Sequence, residues 1–142
     1  MKGLGSLKPY GFEEIDHMAD WAYRVWGQTL EELFVQAAIG LYSLAGVRLE
    51  QGSEIVREIQ LQGIDPESLL VAWLNELLYL HESENLGFNR FEIRQLDRQT
   101  LKVRMSGAPV KTWLKFIKAV TYNDLSIRTT AKRIEATLVL DV

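Results

Sequence analysis

Two capped apolar stripes, set among segments that alternate or run apolar as strands do, constrain this chain more than any other feature. Thr29 and Glu32 form an S/T-x-x-E capping box, and Leu30, Leu33, Phe34, Ala37, Leu41 and Leu44 then recur at helical spacing. The pattern predicts a helix over residues 30–44. Asp65-Pro66 opens a second helix: Asp65 can accept from free N–H groups, and Pro66 sits where a missing donor does no harm. Leu70, Trp73, Leu74, Leu77 and Leu78 carry its stripe to about His81.

A helix that is apolar along one face must cover another element. Strands are expected at 22–26, 54–62, 88–96, 101–107, 118–128 and 133–139, with a turn region between Gly46 and Gly52 and a loop around 109–116. The expected fold class is α+β, a two-layer arrangement in which two amphipathic helices pack on a mainly antiparallel sheet. Gly3, Gly5, Pro9 and Gly11 mark residues 1–11 as a flexible tail, leaving 12–142 as a single domain.

A chain of 142 residues with 47% hydrophobic side chains can bury a core without staples. It has no cysteine, which excludes disulfides, thiolate metal sites and cysteine nucleophiles. No apolar run reaches the roughly 18 residues of a membrane span, so a soluble, cytoplasmic protein with no membrane partner is expected. Charge is uneven: residues 1–71 hold 5 basic and 11 acidic side chains, and residues 72–142 hold 11 and 8. Such polarity can orient a molecule on a charged partner.

Three places can carry chemistry. In Asp16-His17-Met18-Ala19-Asp20, a continuous strand would set Asp16 and Asp20 on one face with His17 pointing away. Two carboxylates side by side favour a hard cation between them, although either aspartate can equally cap a turn. Asp141 and the Val142 carboxylate follow directly on a strand and can act as anionic ligands; a frayed, solvated end is the simpler reading of the same letters. Between Asp97 and Asp124 stand Arg98, Lys102, Arg104, Lys111, Lys115 and Lys118 without an acid, with Trp113 and Phe116 among them. That stretch suits an acidic or nucleic-acid partner, or simply a solvated face.

Phosphate-loop, dinucleotide, nucleophile-elbow and zinc-protease motifs are absent. Of the two histidines, His81 closes a helix, where the dipole favours its charged form and a structural role. Tyr122-Asn123-Asp124 reads as a turn.

Taken together, these letters resemble a known family. Phe12-Glu13-Glu14-Ile15-Asp16-His17-Met18-Ala19-Asp20 is similar to the DHTAD signature of the archeases, with Met18 in place of Thr. Thr29 to Phe34 resembles their TLEELF helix start, and Trp73 to His81 their WLNELLYLH helix. Ile117 to Asp124 resembles VKAVTYHDL, with Asn123 in place of His, and the Leu140-Asp141-Val142 ending also matches.

The resemblance implies an SHS2-type module with a second one inserted, and a protein that is not itself an enzyme. It implies an accessory activator of an RtcB-type RNA ligase, promoting guanylylation and multiple turnover in tRNA splicing or RNA repair. RNA would be met indirectly, through the ligase. The family's cation site falls on Asp20, Asp141 and Val142, with calcium the implied ion and magnesium or manganese as alternatives. Lys118 matches a lysine implicated in ligase activation, and Asp16 and His17 match signature positions that can support the ligands. Two other readings of the same carboxylates are a metal-dependent hydrolase or phosphotransferase and a chaperone-like modulator of nucleic-acid-processing proteins.

Overall fold

The computed structural model describes residues 8–17, 20–122 and 125–142, with His17 described in its backbone only. Strands β1 (Gly11–His17) and β2 (Asp20–Gly27) lead into helix α1 (Leu30–Ala45). Strands β3 (Val47–Leu49) and β4 (Ile55–Gln62), helix α2 (Pro66–Glu84), and strands β5 (Leu86–Leu96) and β6 (Thr100–Trp113) follow. The chain ends with β7 (Ala119–Thr121), β8 (Arg128–Thr129) and β9 (Ile134–Asp141).

The architecture is α+β, as expected, with its antiparallel strands divided between two sheets. One has the order β1-β2-β9-β7, with β8 also on β9; the other has the order β3-β6-β4, with β5 also on β6. Every strand of the second sheet comes from residues 47–113, a segment lying between α1 and β7. The second sheet with α2 is therefore a module inserted into the first.

Local chemistry explains the helices. Thr29 Oγ1 accepts from the Glu32 amide at 3.1 Å while Glu32 Oε1 accepts from Gln28 N–H at 2.8 Å, and Gly46, in the left-handed region at φ 69°, closes α1. Asp65 and Ser68 cap α2 reciprocally, and Asn85 ends it at φ 56°. The stripes then meet the sheets. Leu33, Phe34, Ala37, Leu41, Leu70, Trp73, Leu74 and Leu77 are almost wholly buried with Tyr23, Val25 and Leu138. Two buried polar tips are satisfied across this core: Tyr23 Oη donates to Ala37 O at 2.7 Å, and Trp73 Nε1 to Phe34 O at 3.0 Å. No helix among the described residues is long and apolar enough to cross a membrane.

Several boundaries differ from expectation. Gly11 opens β1 rather than closing a tail, and Lys8 O accepts from Trp26 Nε1 at 3.0 Å, so residues 8–11 are tied to the sheet; residues 1–7 lie outside the described residues. The expected turn after Gly46 contains β3. The expected loop after residue 107 is strand as far as Trp113: β6 changes partner from β4 to β3 around Pro109, so the missing N–H falls in the gap between ladders. Among the described residues, the expected strand over 118–128 survives only as β7 and β8. Tyr122 Oη donates to Asp65 Oδ2 at 3.1 Å and Ile127 N–H to Glu67 Oε2 at 3.0 Å, drawing these two residues to the start of α2. Asn123 and Asp124, read as a turn, lie outside the described residues.

His81 is structural, as expected, but for another reason. It stacks on Trp113 with ring centroids 4.0 Å apart and planes 10° from parallel. Burial lowers its pKa below the ordinary 6.5, against the opposing pull of Glu82. A base whose folded pKa is depressed takes up its proton more readily when unfolded. Stability from His81 is therefore present above pH 6.5 and is lost as pH falls through that value toward the folded pKa. His81→Phe, which keeps the stacking, is expected to flatten the decline in unfolding midpoint between neutral and mildly acidic pH; an unchanged slope would rule the effect out.

Candidate functional site

The proposed ligands come together at one end of the first sheet. Antiparallel pairing sets Trp21 opposite Leu140, and one further step of that register brings Asp20, the first residue of β2, beside Asp141, the last of β9. On the other side of β9, Asp141 pairs with Ala119, and its carbonyl accepts the Lys118 amide at 2.8 Å. Residues about 120 positions apart thus share one sheet end.

Faces follow from alternation. Leu140 and Leu138 are buried under the helices, so Asp141 belongs to the opposite, helix-free face. Asp20, out of phase with Trp21, shares that face. Asp20, Asp141, Val142 and Lys118 are all exposed.

The expectation that Asp16 and Asp20 share a face is overturned. β1 and β2 are two paired strands, not one, and Asp16 pairs with Trp21 while His17 is the cross-strand partner of Asp20. Counting by twos fails where the chain reverses, so Asp16 stands with Trp21 on the helix side and His17 occupies the register position next to Asp20. On the helix side Lys115 Nζ lies 5.6 Å from the Trp21 ring centroid. Met18, noted for its missing hydroxyl, lies outside the described residues.

The donor set suits a hard cation loosely held. Two carboxylates on adjacent strands supply oxygen, and their mutual repulsion is relieved by a positive charge between them. Among the described residues no three His, Cys, Asp or Glu side chains converge, so a bound cation would need further oxygens, from the main chain or from water, to fill a six- to eight-oxygen shell.

One residue that positions the site carries no role in the sequence reading. Asn75 Oδ1 accepts the Val120 amide at 2.8 Å and its Nδ2 donates to the Val120 carbonyl at 3.1 Å. This pair of hydrogen bonds to the backbone of one residue pins β7, and hence Lys118, to α2. The available signal was an amide side chain directly after Trp73 and Leu74 in the apolar stripe of α2.

Comparisons with known proteins identify the family and the fold. The model of the Archease protein family (MTH1598/TM1083) matches residues 12–142. "Protein archease" of Methanosarcina barkeri is 34% identical over 142 residues, covering 92% of this chain and 95% of that protein. The Pyrococcus furiosus protein of the same name is 37% identical over 126 residues, covering 82% and 87%, and "Protein archease-like" of Dictyostelium discoideum is 30% identical over 150, covering 99% and 97%. The solution structure of Methanobacterium thermoautotrophicum protein 1598 superposes with a TM-score of 0.67 at 29% identity, covering 93% of this chain and 99% of that one. With its whole described fold and nearly all its length matched, the chain belongs to the archease family.

Proposed function

We propose that this protein is an accessory activator of an RtcB-type RNA ligase, acting in the cytoplasm on the ligase and not directly on RNA. What supports the reading above all is the register that brings Asp20 and Asp141 to the sheet end at which the Lys118 amide is bonded to Asp141. Guanylylation moves charged phosphates, and an accessory protein can assist by presenting fixed charge to them without forming a covalent bond. Asp20, Asp141 and main-chain oxygen at Val142 would hold a divalent cation, calcium in the first instance. Such an ion supplies concentrated positive charge for phosphate oxygens. Lys118 adds a mobile point charge suited to a phosphate or to a carboxylate of the ligase. Asn75 holds the strand start from which Lys118 projects, so that charge is offered from a fixed base.

The test is multiple-turnover ligation and guanylylation by the cognate ligase, with wild type, Asp141→Ala and Lys118→Ala. Wild type is expected to accelerate turnover and each variant to lose about tenfold or more of that acceleration, a change of at least about 1.4 kcal/mol in the assisted step. Undiminished acceleration by both variants would overturn the assignment. Turnover of RNA or nucleotide by the isolated protein would replace it with the hydrolase or phosphotransferase reading.

A further inference from the structure

The helix-free face of the first sheet is acidic at one end and basic further along. Arg24 pairs across the ladder with Thr137, and Arg128 with Glu135, so both arginines flank β9 on the face that carries Asp141. Together with Ser126 and Arg133 they line a cavity of about 340 Å³. Its lining holds three guanidinium groups and one carboxylate, a net charge of +2. The cavity on the outer face of the inserted sheet differs: Arg90 and Arg104 there are balanced by Glu54 and Glu92.

Two of the guanidinium groups, those of Arg133 and Arg24, are also held in place. Arg133 donates from both Nε, at 2.9 Å, and Nη2, at 2.7 Å, to Glu135 Oε2, and its guanidinium lies 5.0 Å from the Trp26 ring centroid. Trp26 is itself buried and bonded to Lys8 O. Arg24 is oriented by Glu13 at 3.0 Å. Arg128 is exposed at the cavity rim. Pre-oriented guanidinium forks beside the Ser126 and Thr137 hydroxyls match the donor pattern that phosphate oxygens require, and ordering already completed in the free protein is not lost again on binding.

We infer that the cavity bounded by Arg24, Arg128, Arg133, Ser126 and Thr137 binds a phosphate group, presented either by a free phosphate compound or by a polynucleotide backbone. Thr137 and Asp141 are four residues apart on one strand, so the phosphate lies roughly 13 Å from the carboxylate pair. The site does not depend on the ligase reading and is tested on the isolated protein.

The experiment is an amide NMR titration with inorganic phosphate and, separately, with a short single-stranded uridine oligonucleotide, at low and moderate salt. Both probes are expected to shift the Ser126 and Thr137 signals, with affinity falling as salt rises. Tighter binding of the oligonucleotide identifies a backbone phosphate as the source; shifts with inorganic phosphate alone identify a free phosphate compound. Arg128→Ala should weaken either interaction about tenfold, the worth of one charge-assisted contact, while Arg104→Ala on the inserted sheet leaves it unchanged. Arg128 is exposed, and an unaltered amide spectrum elsewhere verifies that the variant is folded. Absence of shifts at Ser126 and Thr137 with millimolar phosphate at low salt would overturn the inference, as would equal weakening by Arg104→Ala.

Discussion

Gly107→Ala is expected to destabilise the protein by about 3 kcal/mol or more, read as a fall in the urea midpoint and in soluble yield. Gly107 is buried in β6 opposite Phe88, where β5 carries a register shift. A methyl group there would fall on the carbonyl oxygen of Gly87 and within 2.6 Å of Phe88 Cα. Both obstacles are backbone atoms of a paired strand. They can move only by opening the β5–β6 ladder, which joins the longest strands of the inserted sheet. Gly40→Ala provides the comparison: its methyl group would meet the side chains of Tyr23 at 2.8 Å and Phe12 at 2.9 Å, which can yield in part. It should cost less, about 1–3 kcal/mol. A loss below about 1 kcal/mol for Gly107→Ala would mean that the two strands can separate cheaply.

Asn75→Ala is expected to cost about 2–3 kcal/mol, because it removes two hydrogen bonds and leaves the N–H and C=O of Val120 without those partners in a partly buried setting. Val120 is 3% exposed, so water cannot freely replace the amide. Asn75→Asp separates the two bonds. Its carboxylate still accepts from the Val120 amide but cannot donate to the carbonyl, so its stability should fall between wild type and alanine. Since the same contact anchors the strand start bearing Lys118, the proposed ligase activation should fall further in Asn75→Ala than the fraction unfolded explains. Activation that follows the folded fraction alone would confine Asn75 to stability.

The archease family supplies a frame in which these effects are connected. Loosening β7 moves Lys118 relative to Asp141, since Lys118 leads into β7 and β7 is paired along β9 up to Asp141. Arg128 lies on a separate strand beside the start of β9, and changes there should leave the Asp141 end untouched.

The amino-acid sequence by itself determined the helices and most strands, because their signals are local: Thr29 with Glu32, Asp65 with Pro66, the apolar stripes, and the alternation from Ile55 to Gln62 act within a few residues. It also supplied the carboxylates and the lysine, and its motif blocks were enough to identify the family. Where two distant segments compete for one stretch, local pattern failed. Tyr122 and Ile127 are drawn to the Asp65 and Glu67 carboxylates, and β6 continues past Pro109 because β3 takes over as its partner. Only the tertiary structure decided that Asp20 meets Asp141, that Asp16 turns to the other face, and that Arg24 joins Arg128 and Arg133. Those outcomes depend on strand register, which is set by burying Tyr23, Val25, Ala136 and Leu138 together under the helices, and a shift of one residue would reverse every face.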